Sequence, residues 1–139
     1  MKKLKMIMFV GILLLTGTAL STYAQDGMMI EKANPKNPTV AIIRADWCPY
    51  CKELEPTMMG LMKEYSGKLN FVMFDVTNKE TTAKAAAMAK SLGLSSFFTA
   101  NKKKTSTVAV FKNKKQLFMT TNNQDRSAYV TAFDKAIKS

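Results

Sequence analysis

Two cysteines, Cys48 and Cys51, stand two residues apart in the stretch RADWCPYCKELEP, and the chain has no others. That spacing constrains what holds the fold together. A cross-link stabilises a protein mainly by restricting the unfolded chain, and it does so more as the loop it closes lengthens. This pair closes almost no loop, so it is ill suited as a structural staple. The fold must rest on its packed core. The cysteines are left for chemistry, as a redox couple or as half of a metal site. Their surroundings narrow the reading further. Upstream, TVAIIRADW is β-branched and apolar with no turn residue, the mark of a strand buried on both faces. Downstream, Leu54, Met58, Leu61, Met62 and Tyr65 recur at three- and four-residue steps, which predicts an amphipathic helix ending near Gly67 and kinked at Pro56. The cysteines therefore sit at a strand-to-helix junction.

The rest of the chain continues the alternation. KLNFVMFDV reads as a second buried strand, and KETTAKAAAMAKSLG as a helix of strong formers stopped by Gly93. LSSFFTANKKKTS reads as a loop, with the option of forming a lip over the site. TVAVFK and QLFMTT, around NKK, form a predicted hairpin. The C-terminal NNQDRSAYVTAFDKAIKS opens on capping residues and places Ala128, Tyr129, Ala132, Phe133, Ala136 and Ile137 at helical spacing. Strand, helix, strand, helix, strand, strand, helix predicts an α/β domain: a mixed sheet of about four strands with helices on both faces. No internal repeat or second domain is visible.

A cysteine at a helix start meets unpaired N–H groups and the positive end of the helix dipole, both of which favour thiolate over thiol. Pro49 suits the first helical position, where an N–H would be spare. Cys51 is expected one turn deeper and more shielded. This assigns Cys48 as the nucleophile that forms a mixed disulfide with a partner, and Cys51 as the residue that resolves it. Trp47 either shields the sulfurs or packs as an aromatic at the strand end.

The strand TVAIIRA, the run DWCPYCKELEP with Trp47 directly before Cys48, Lys52 directly after Cys51 and Pro56 in the helix, the hairpin STVAVFKNKKQ and the final helix together resemble the thioredoxin-like superfamily, over roughly residues 38 to 138. The tetrapeptide Cys48-Pro49-Tyr50-Cys51 resembles that of glutaredoxins, whereas the frame around it is thioredoxin-like. The resemblance implies a thioredoxin-like fold and thiol–disulfide exchange through a redox-active Cys48–Cys51 disulfide, with no cofactor and no bound metal. Three positions depart from the pattern. Ile42 stands where such proteins carry a buried acid. Met73 stands where a lysine often lies beside that acid. Ser106, preceded by Thr105, stands where a cis-proline faces the cysteines. With no histidine in the chain, proton transfer at Cys51 is left to water, Asp46 or a nearby glutamate. The open space at Ser106 keeps an alternative in view: a Cu(I) or other metal-binding and delivery module using the two thiolates.

The N-terminus has a basic start, MKKLK, then the apolar run MIMFVGILLLTGTAL, then STYAQ. That order reads as a secretory signal peptide over residues 1–24, cut after Ala24, with an uncleaved anchor helix as the alternative, for which the apolar run is short. Residues 25–38 read as a lead-in and 39–139 as the domain. Export to a periplasm or beyond follows as an expectation, with no transmembrane segment after cleavage and with disulfides able to persist. Removing residues 1–24 takes three of the 21 Lys+Arg and none of the 10 Asp+Glu, so the mature chain keeps an excess of eight positive charges. The lysines are scattered apart from NKKK and KNKK, and no nucleic-acid motif accompanies them, so a solvated basic surface is expected rather than a nucleic-acid site. The expected partners are protein disulfides or dithiols, together with a membrane electron donor or acceptor. A reductase is slightly favoured over an oxidase.

Overall fold

The computed structural model describes residues 33–139; the expected signal peptide and most of the lead-in lie outside them. Four strands and four helices follow in the order β1 (Thr39–Arg44), α1 (Pro49–Glu64), β2 (Asn70–Asp75), α2 (Lys79–Ser91), α3 (Ser95–Asn101), β3 (Thr107–Lys112), β4 (Lys115–Thr121) and α4 (Arg126–Lys138). The strands form one sheet in the order β2-β1-β3-β4. β1 and β2 run parallel, joined by the α1 crossover, with Ile42 opposite Met73. β1 and β3 are antiparallel, as are β3 and β4. This is the mixed four-stranded sheet with helices on both faces that the sequence predicts.

The near-continuous apolar runs of β1 and β3 are explained by what covers them. Val40, Ile42, Phe71, Val108 and Val110 face one side and pack with Leu54, Met58 and Leu61 of α1 and with Tyr129, Ala132 and Phe133 of α4. Ala41, Ile43, Val72, Phe74, Ala109 and Phe111 face the other side, against α2 and α3. The period of two in the strands thus separates two cores, one on each face.

One expectation about local structure needs correction. Residues 95–101 are not a loop but the helix α3. Phe97 and Phe98 turn into the core, Phe98 edge-on to Phe74 with ring centroids 5.4 Å apart and Phe97 edge-on to Phe111 at 5.1 Å. The segment is too short for helical periodicity to register, and its two aromatics drive it onto the sheet rather than over the site. α1 runs helical from Pro49 to Glu64 and carries Pro56 within it. The missing N–H leaves one carbonyl of the preceding turn without its helical donor, and Pro56 is on the exposed face where solvent can serve it. The hairpin turns at Asn113 and Lys114, with φ of 50° and 64°, the left-handed pair that a two-residue turn requires.

Candidate active site

β1 ends at Arg44, and the chain turns through Ala45–Trp47 to deliver Cys48 as the N-cap of α1. The cap is the cysteine itself: the backbone N–H of Cys51 donates to Cys48 Sγ at 3.1 Å. One of the four spare donors of the helix start is therefore spent on sulfur. Pro49 takes the first helical position, as expected. Cys48 and Cys51 are joined as a disulfide, with Cα atoms 5.3 Å apart.

Burial does not separate the two sulfurs as the sequence implied. Cys48 is 2% exposed and Cys51 is 9% exposed, so Cys51 is not the more shielded residue. The difference between them is one of environment. Cys48 receives the helix N–H, while Cys51 faces a cavity. The flanking aromatics are exposed instead, Trp47 at 61% and Tyr50 at 49%. Trp47 neither packs into the core nor hangs free: its indole N–H donates to the Thr77 carbonyl at 3.0 Å. Tyr50 lies in the first turn of α1, and the Gln124 side-chain amide donates to its carbonyl at 3.2 Å.

Residues that the sequence did not single out hold this apex in place. Thr77, in the β2–α2 loop, is a hub. Its hydroxyl accepts from the Asp46 N–H at 2.9 Å, its carbonyl accepts from Trp47, and its own N–H donates to Asp75 at 2.7 Å. Arg44 spans Asp46 at 2.7 Å and Asp75 at 3.0 Å. Burial opposes ionisation of Asp75, but hydrogen bonds from Thr77, the Arg44 guanidinium and a bond from Thr81 outweigh it and hold the carboxyl below its usual range. Arg44 and Asp75 are register partners at the ends of parallel strands. The opposite charges closing two adjacent strands were the available signal, legible once the pairing was known.

Ser106 lies beside the site and Thr105 is half-buried before it. The Thr105–Ser106 peptide is trans, since the described residues hold no cis peptide, and Ser106 instead adopts φ of 58°. Its N–H donates to the Ile43 carbonyl at 2.8 Å, and its carbonyl accepts from the Asn122 N–H at 3.0 Å. It is 1% exposed. Ser106 and Cys51 line one cavity of about 430 Å³ between α1 and the sheet. Ile42 and Met73 line it too, with Met58, Met59 and Met62, so the place where a charged pair was anticipated by resemblance is a thioether-rich, apolar space. Glu55, Met59 and Lys63 form its exposed rim. Asp46 is engaged by Arg44, whereas Glu55 is the carboxylate that shares the cavity with Cys51. Among the described residues no three His, Cys, Asp or Glu side chains cluster as a metal site.

The thioredoxin family model matches residues 26–123, which include Cys48, Cys51, Thr77 and Ser106. The chain belongs to the thioredoxin family. A 72-residue stretch of this thioredoxin-family chain is 36% identical to a chloroplastic thioredoxin-like protein of Arabidopsis thaliana, covering 51% of the chain and 28% of that protein. Another, of 65 residues, is 34% identical to the thiol:disulfide interchange protein TxlA homolog of Synechocystis, covering 46% and 36%. A third, of 69 residues, is 30% identical to thioredoxin C-2 of Corynebacterium nephridii, covering 50% and 63%. The matched stretches thus span about a third or less of the first two relatives and under two thirds of the third. Thioredoxin of Fasciola hepatica superposes with a TM-score of 0.53 at 19% identity, over 73% of this chain and 82% of that one. The Drosophila germline thioredoxin Deadhead gives 0.50 at 20% identity, over 72% and 81%. These two likenesses bear on the fold alone. Fold, family and the Cys48-Pro49-Tyr50-Cys51 motif together support a thiol–disulfide oxidoreductase role. No helix among the described residues is long and apolar enough to cross a membrane.

Proposed function

We propose that this chain is an exported protein thiol–disulfide oxidoreductase working as a reductase, with Cys48 as nucleophile and Cys51 as resolving residue. The observation that carries the reading is the bond from the Cys51 N–H to Cys48 Sγ at the start of α1. It supports Cys48 as the sulfur whose negative charge the helix end stabilises. Cys48 thiolate attacks a sulfur of a partner disulfide, forming a mixed disulfide and releasing the partner's second sulfur as thiolate. Cys51 thiolate then attacks Cys48 Sγ, closing the Cys48–Cys51 bridge and releasing the partner's remaining sulfur. Exposed Trp47 and Tyr50 offer the partner an apolar rim. A dithiol working outside the cytoplasm needs re-reduction, so a membrane-bound electron donor belongs to the same reading.

The test is trapping. Cys51→Ser should accumulate mixed disulfides through Cys48 when incubated with exported proteins, and Cys48→Ser should not. Reduced wild-type protein should cleave the insulin disulfides. If neither variant traps a partner and insulin stays intact, the reading fails. In living cells, a pair found mainly as dithiol supports the reductase direction, and one found as disulfide supports an oxidase.

A second reading, Cu(I) binding and delivery, draws on the methionines lining the cavity beside Cys51. Reduced protein should then compete for Cu(I) against a chromophoric chelator, Cys48→Ser should compete less well, and insulin should not be reduced.

A further inference from the structure

A buried hydroxyl without a partner calls for a physical account, because it forfeits its hydration for nothing. Ser106 Oγ is such a group: among the described residues it is the buried side-chain polar atom with no hydrogen bond. Its backbone is fully used, through Ile43 and Asn122, and it sits in a left-handed conformation that serine rarely adopts. An unpaired donor and an unfavourable backbone at one residue, in the cavity shared with Cys51, describe a group whose partner is absent in the disulfide state. The cavity wall is otherwise mainly apolar, with Ile42 and Met73 on the strands and Met58 and Met62 on the helix. The charged groups lining it are Arg44 on β1 and Glu55 and Lys63 on α1, and all three belong to its more exposed part.

From this we infer that Ser106 Oγ–H is the hydrogen-bond donor to Cys51 sulfur once the bridge opens, and that it holds Cys51 as the thiolate that resolves the mixed disulfide. In the disulfide the Cys51 sulfur is neutral and a poor acceptor. Reduction breaks the S–S bond, the sulfurs move apart to non-bonded distance, and Cys51 is left a thiol; when its proton leaves, Cys51 Sγ becomes an acceptor of one negative charge. A serine hydroxyl can rotate to meet it. In the resolving step the Cys51 proton leaves to water entering at the cavity rim. Cys51 thiolate bonds to Cys48 Sγ, and the electron pair of the mixed disulfide departs on the partner's sulfur. Ser106 keeps its proton throughout. The inference rests on the exchange reading above for its role in turnover, but not for its effect on Cys51.

The experiment separates the two. In a Cys48→Ala background, Cys51 is titrated by thiolate absorbance with Ser106 intact, with Ser106→Ala and with Ser106→Gly. Hydrogen bonds to charged groups are worth enough to expect about a tenfold fall in the acid dissociation constant of Cys51 in both variants. In the two-cysteine protein, each variant should shift the equilibrium with glutathione about tenfold towards the disulfide, equivalent to ~30 mV more reducing. Alanine keeps the left-handed strain and glycine relieves it, so equal effects assign the change to the hydroxyl. An unchanged titration, or opposite changes in alanine and glycine, overturns the inference. If wild type fails to reduce insulin but the titrations shift together, the exchange reading is lost and the contact between Ser106 and Cys51 stands.

Discussion

At the scale of single residues, the site combines one conformation that costs stability with several contacts that fix its geometry. Ser106 at φ of 58° carries a penalty that glycine would not, and its hydroxyl is buried unpaired. Ser106→Gly should therefore stabilise the oxidised protein by roughly 1 kcal/mol, read as a raised midpoint in urea, even as it alters the chemistry of Cys51. A lowered midpoint would mean that the serine side chain packs better than its orphaned oxygen implies. How much of the site was legible varies by residue for physical reasons. Cys48, Pro49 and the position of Cys51 followed from their place at a strand-to-helix junction, which is local in sequence. Thr77, Asp75 and Gln124 did not, because each reaches the apex across the sheet or from another loop, 30 or more residues away in the bonds they make. The expected shielding of Cys51 failed for a similar reason: helix depth is local, but the cavity beside Cys51 depends on Met73 and Ser106 from other elements.

Among the elements, the strands were the most legible, since an apolar run bounded by turn residues is a self-contained signal. α3 was the least legible. Its seven residues hold too few turns for a period to show, and its helical state depends on Phe97 and Phe98 finding the sheet. This makes Phe98 a sharp probe. Phe98→Ala should cost about 3–5 kcal/mol by opening a cavity against Phe74, measured by chemical unfolding. A loss well under 1 kcal/mol would instead restore the reading of this segment as an exposed loop. α4 does more than cover a face. The Tyr129 hydroxyl donates to the Asn123 carbonyl at 2.6 Å, and the neighbouring Asn122 N–H holds the Ser106 carbonyl. A core tyrosine thereby anchors the loop that grips the site. Burial first, with a contribution from Asp125, pushes the Tyr129 phenol up to about 12. Burial and then the Asp134 hydrogen bond push Tyr65 to about 12 as well. A raised phenol favours the folded state fully below pH ~10, where the unfolded tyrosines are also neutral, and that advantage is lost as pH rises towards 12. Thermal midpoints should accordingly fall between pH 10 and 12. In Tyr129→Phe the fall should be shallower, on a lower baseline; an equal slope would remove Tyr129 from this explanation.

For the whole molecule, four separated stretches of sequence meet at one end of the sheet: the β1–α1 turn, the β2–α2 loop, the residue before β3 and the β4–α4 loop. Family and fold were readable because the motif and the order of elements are both written along the chain. The replacement of a polar pair by Ile42 and Met73 was readable as substitution, but its result, a methionine-lined space open to Cys51, required three dimensions. The closeness of the two cysteines has one more consequence. A bridge separated by three positions hardly changes the dimensions of the unfolded chain, so oxidised and reduced proteins melt to nearly the same ensemble. Any difference in their melting temperatures then measures how the fold alters the electron affinity of the pair relative to the same residues in a disordered peptide. The reductase proposal requires the oxidised protein to melt higher; a reduced protein that melts higher would mark the fold as an oxidant. A calorimeter can thus read the direction of electron flow without any partner protein.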